Sequence, residues 1–142
     1  EIVAAVSTRA TEIDERMRAS SETLDAYFES LDASWQWTLL PRNRQLQRLE
    51  FEAALIESLE PDSHVFSRSL FTTWHRIGRD ALIRLGVEDE RADIEARILV
   101  DQFYGIQFDF VLNNDADAAT SAYREAMAGH RERLEGLLPV AR

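Results

Sequence analysis

The stretch ILVDQFYGIQFDFVLNN, Ile98 to Asn114, decides how the chain folds. Leu99, Phe103, Ile106 and Phe110 recur at helical spacing, and Val100, Tyr104, Phe108 and Val111 make a second stripe about 100° round the same helix. Only Asp101, Gln102, Gln107 and Asp109 interrupt them. A helix apolar around most of its girth is buried on most sides. It therefore lies at the centre of a helical domain, or it faces its own core and a partner subunit together. Extended back to Asp89 and on to Asn113, it is about 37 Å long at about 1.5 Å per residue.

The rest of the chain supplies helices to surround it. Val6, Ala10, Ile13 and Met17 space a first helix from Ile2 to Met17. Ser20 and Ser21 are candidate N-caps for a second, whose stripe is Leu24, Tyr27, Phe28, Leu31, Trp35 and Leu39. Pro41 suits the first turn of a third, with Leu46, Leu49, Ala53 and Ile56 as its apolar face. EPDS, Glu60 to Ser63, is a break. The fourth helix carries Phe66, Leu70, Trp74, Ile77, Ala81 and Leu85 and closes at Gly86, a favoured C-terminal residue. The sixth runs from Asp115 to Leu138 and stops at Pro139. No segment alternates as a strand does. The expected fold is all-α: a six-helix bundle whose last two long helices form a four-helix bundle with a second copy.

Composition fits one globular domain spanning residues 1–142, with 45% hydrophobic and 30% charged residues. No run approaches 18 uninterrupted apolar residues, which excludes a membrane helix. With no cysteine there are no disulfides or thiolate metal sites, which agrees with a cytoplasmic location. Every basic residue is Arg, and the net charge of −10 argues against this chain alone gripping nucleic acid. The chain opens on Glu1 rather than Met, which suggests either a fragment or an initiator removed by processing or purification.

Catalytic patterns are missing. The Glu-x-x-His pairs of a di-iron bundle do not occur. His64, His75 and His130 fall on three different elements, so no metal is expected. Asp101 and Asp109 stand about two turns, roughly 12 Å, apart, too far for shared acid–base work. Phosphate loops and nucleophile elbows are absent too. An enzyme and a cofactor are therefore not expected.

A generic small-molecule site is apolar with a few convergent polar groups, and the middle helices hold the parts. Candidate ligand contacts are Trp35 and Trp37 in the second helix, Phe71, Trp74 and His75 in the fourth, and Phe103, Gln107 and Phe110 in the fifth. His75 either hydrogen-bonds a ligand or satisfies a backbone carbonyl. Gln107 either contacts ligand or pairs with Asp109 or the partner chain. Trp37 lies off the Leu24–Leu31–Trp35 stripe and suits a pocket wall.

The sixth helix spaces Ala119, Tyr123, Ala126, His130, Leu134 and Leu137 three and four apart, with Ala122 and Gly129 keeping part of the face low. Small residues let another helix approach closely. Together with Tyr104, Phe108 and Val111 these are the expected homodimer contacts. A His130 at that seam would weaken the dimer on protonation near pH 6.5.

HRIGRDALIRLGVEDERADIEARILVDQFYGIQFDFVLN, His75 to Asn113, followed by an Ala-rich terminal helix, resembles the C-terminal domain of TetR-family transcriptional regulators. The matching features are the Leu85-Gly86 turn, the acidic VEDERAD helix start and Gly105-Ile106-Gln107-Phe108. PRNRQLQRLEFEAALIESLEPD, Pro41 to Asp62, looks like the stretch ahead of that family's pocket helix. The resemblance covers essentially the whole chain and rests on layout. The family's N-terminal helix-turn-helix has no counterpart here. The resemblance implies an effector-sensing and dimerising domain of a repressor, with DNA binding left to the missing reader. A hydrophobic or aromatic effector would enter among the middle helices and shift the first helix. A helical protein–protein interaction module without a ligand is the other reading.

Overall fold

The computed structural model describes residues 2–19, 23–62 and 65–139. They form six helices: α1 (Ile2–Ala19), α2 (Leu24–Leu39), α3 (Pro41–Leu59), α4 (Phe66–Leu85), α5 (Asp89–Asn113) and α6 (Ala116–Leu137), with no strand among the described residues. The fold is all-helical. No described helix is long and apolar enough to cross a membrane.

Local chemistry sets the ends. Thr23 caps α2, its hydroxyl accepting from the amide of Ala26 at 3.1 Å; Ser20, Ser21, Ser63 and His64 lie outside the described residues. Pro41 opens α3, where its missing N–H costs nothing. Gly86 ends α4 at φ 104°, a left-handed turn whose amide bonds back to the carbonyls of Ile83 and Leu82. Glu88 caps α5 and Asp115 caps α6 through side-chain oxygens.

The core lies where α2, α4, α5 and α6 meet, with Tyr27, Trp35, Leu82 and Leu134 wholly buried. Gly78 lets α4 approach α5: a Cβ there would stand 3.5 Å from the Ala96 methyl. Trp35 stacks on Tyr123 at 4.9 Å and donates its indole N–H to Thr120 at 3.1 Å. α5 touches α3, α4 and α6, as its apolar girth requires, but Phe108 and Leu112 remain exposed on its outer side.

The α3 face differs from expectation. Ala53 and Ile56 point to solvent, and the residues turned inward are Asn43, Gln47 and Glu57. Each has a use that outweighs apolar burial. Asn43 donates to the carbonyl of Trp37 at 2.8 Å and Gln47 to Thr38 Oγ1 at 3.2 Å. Glu57 caps α4 through the amides of Ser67 (2.6 Å) and Arg68 (3.1 Å). Burial alone would raise the Glu57 carboxyl, but these amides hold it below its usual range.

The expected α6 seam also turns inward. Ala119, Tyr123, His130 and Leu134 are covered by their own chain, and Ala126 and Leu137 pack on the same core. They leave little surface for a partner, because α2 and α5 already occupy the space the spacing had reserved for a second subunit. Tyr123 donates to Asp32 at 2.6 Å, which anchors it to α2. Ala122 alone of the α6 group stays exposed.

Candidate functional site

A cavity of about 130 Å³ lies among α1, α2, α3, α4 and α5. α6 contributes nothing to it. Its apolar wall comes from Ile13 and Met17 of α1, Leu31 of α2, Ile77 of α4, and Leu99 and Phe103 of α5. An engineered apolar cavity of roughly 150 Å³ takes up benzene, so the space suits one ring or a short branched chain.

Four of the eight expected ligand contacts meet there: Trp37, Trp74, Phe103 and Gln107. The other four are elsewhere. Trp35 and Phe110 pack edge-to-face in the core at 6.5 Å, because the second-helix stripe that carries Trp35 points at α6. Phe71 stands behind the cavity wall, stacked on Tyr104 at 5.7 Å with the Arg97 guanidinium 4.8 Å over its ring. His75 Nε2 lies 3.1 Å from the carbonyl oxygen of Asp93, so the imidazole bridges α4 to α5 outside the cavity.

The cavity also takes in a residue expected at the dimer interface. Tyr104 lines it and donates its hydroxyl to Glu50 Oε1 at 3.1 Å. Aromatic spacing alone cannot tell an inner wall from an outer face. Burial pushes the Glu50 carboxyl above its ordinary value, and burial beside that carboxyl pushes Tyr104 up in turn.

The polar lining is what the periodicity of apolar residues could not reveal. Thr38 Oγ1 accepts from both Gln47 and Gln107 at 3.2 Å and donates to the Ser34 carbonyl at 3.1 Å, joining α2, α3 and α5. Arg9, on α1, is 8% exposed, with its guanidinium 4.7 Å over the Trp37 ring. Burial holds Arg9 below its usual value, and nearby Arg16 adds to the effect. Arg9 Nε and Nη2 and Gln47 Oε1 are buried and have no hydrogen-bond partner. An Arg at an otherwise apolar helix face, as in Val6-x-x-Arg9-Ala10-x-x-Ile13, was the available sequence signal.

A second buried polar group lies away from the cavity, between α2, α5 and α6. Glu95 and His130 are fully buried. Glu95 accepts from Arg91 at 2.9 Å and from Arg133 at 3.0 Å. His130 Nε2 meets the Tyr27 hydroxyl at 2.8 Å, and its Nδ1 stands 3.6 Å from Glu95 Oε2. This network ties three helices of one chain together. His130 is thus an intrachain fastening and not a residue at a subunit seam.

No family model, curated protein or solved structure matches the chain.

Proposed function

We propose that this chain is an effector-sensing and dimerising domain of a TetR-like transcriptional repressor, binding a small hydrophobic or aromatic molecule. The observation that carries this reading is the cavity: mainly apolar with a few polar groups, about the size of one ring, and bounded on one side by α1. α1 corresponds to the helix that, in the resemblance, connects to the DNA reader. It contributes Val6, Arg9, Ile13 and Met17 to the wall, so a bound molecule changes what α1 packs against. A ligand shifts such a helix only through unequal affinity for its two positions.

Dimerisation belongs to the same proposal. The outer side of α5 retains Phe108 at 48% and Leu112 at 67% exposure, Val111 is half-buried, and Ala122 of α6 is exposed. Two large apolar side chains left in water one turn apart on α5 suit a partner. The location is cytoplasmic in this reading, and DNA is reached only through a domain not contained in these residues.

Native mass spectrometry of the purified chain tests both halves. The expected result is a species near twice 16.3 kDa that takes up toluene or benzyl alcohol, one per chain, with a change in Trp fluorescence from Trp37 and Trp74. A chain that binds neither compound at saturation contradicts the sensor reading. The interaction-module reading then moves forward, supported by the exposed row Leu55, Ile56 and Leu59 on the outside of α3.

A further inference from the structure

Arg9 is a charged side chain in an apolar wall, and its surroundings leave a specific part of it unmet. Its Nη1 is 3.7 Å from Glu12 Oε2, but Glu12 is 57% exposed, and a pair so open to solvent offsets little of a buried charge. The Nε and Nη2 atoms, which together form one edge of the guanidinium fork, are buried without a partner. That edge presents two parallel N–H donors at the spacing of the two oxygens of a carboxylate. The flat face of the same guanidinium is already covered by Trp37, which fixes the plane in which an acceptor must lie. Leaving buried donors unmet is costly, so the site favours a ligand that supplies acceptors to this edge, and the buried positive charge favours an anion among them.

Charge and size narrow the anion. Arg9 is the only basic residue among the described residues lining the cavity. A phosphate dianion would keep one charge uncompensated in an apolar space, at a desolvation cost that nothing there offsets. Glu50, the acidic residue in the same lining, accepts from the Tyr104 hydroxyl, and burial favours its neutral form, which leaves the single charge of Arg9 to a monoanion. The remaining wall, including Ile77, Leu99 and Phe103, offers apolar surface around about 130 Å³. We propose that the effector is a compact aromatic monocarboxylate, held side-on by Arg9 Nε and Nη2 with its ring in the apolar space. This deepens the sensor reading and rests on it. Because Arg9 belongs to α1, the ligand's charge would then act directly on the helix that has to move.

Isothermal titration of the full chain with benzoate and with benzyl alcohol, equal in ring and differing in charge, tests the assignment. Benzoate is expected to bind at least about tenfold tighter, the preference a charge-assisted pair gives over a neutral contact. In Arg9→Met, which keeps the stem but has no fork, that preference falls to about one. Arg9→Lys, which keeps the charge without the fork, provides a second variant should the first fail to fold, and its preference also drops severalfold. Equal affinities in the unmodified chain, or a benzoate preference that survives both substitutions, overturns the carboxylate assignment and leaves the apolar sensor standing. Binding of neither compound removes the sensor reading itself.

Discussion

His130 has no contact with water and faces Tyr27, Glu95 and Arg133. Burial disfavours its charged form and pulls it down to about 4, with Arg133 adding to the shift and Glu95 opposing it. In the unfolded chain the ring titrates near 6.5. The unfolded state therefore binds the extra proton first as pH falls. Stability is complete above about pH 6.5 and is lost as pH drops toward 4, by up to about 1.4 kcal/mol per pH unit for one proton. Urea melts at pH 7.5 and pH 5.0 check this. The unmodified chain should lose about 2 kcal/mol more between them than His130→Phe, which has no titrating ring. Equal losses would mean that the imidazole titrates alike in the folded and unfolded chain. The acid sensitivity expected of a subunit seam becomes a sensitivity of the fold. His130 marks the limit of spacing rules, since its helical register is correct while the surface it meets is α2 of its own chain.

Elements were the level at which the sequence was most legible. Phe66–Leu85 and Asp89–Asn113 begin and end where periodicity, Gly86 and the acidic helix start put them, and Pro41 opens α3, while α1 runs two residues past the expected Met17 and α2 takes Thr23 as its cap. The two glycines of opposite meaning show why. Gly86 sits at φ 104°, where a Cβ is strained, so Gly86→Ala should cost about 1 kcal/mol. Gly105 lies within α5 with nothing within 4 Å of an added Cβ. Gly105→Ala should therefore stabilise the chain by about 0.5–1 kcal/mol through helix propensity alone. Chemical denaturation of the two variants decides it, and a loss at Gly105 would point to a close neighbour at that spot. The illegible element was α3. Its inward Asn43, Gln47 and Glu57 are polar because each closes a hydrogen bond to a neighbouring helix, and such a partner cannot be read from the helix itself.

For the whole molecule, Phe108 and Leu112 are large apolar side chains that α5 leaves exposed. If they meet a second copy, Phe108→Glu should shift the mass in multi-angle light scattering from about twice 16.3 kDa to 16.3 kDa, since a charge buried at a two-fold contact is placed against its own copy. Because Phe108 is 48% exposed within the chain, its substitution should move the melting temperature of the monomer little, apart from the loss of its edge contact with Phe51 at 5.4 Å. A variant that stays dimeric would move the contact off this face.

The sequence by itself determined the number of helices, most of their ends, and the apolar character of α5, because backbone hydrogen bonding, caps and side-chain spacing act within a few residues. Only the tertiary structure decided which stripe met which helix. It turned Tyr123, His130 and Leu134 into core, sent Trp35 to α6 and Trp37 to the cavity, and brought Arg9, Gln47, Glu50 and Tyr104 together from three helices. A helical period assigns a residue to a side of its own helix. What that side faces depends on packing among all six, and so does the energy of leaving Arg9 buried without a partner.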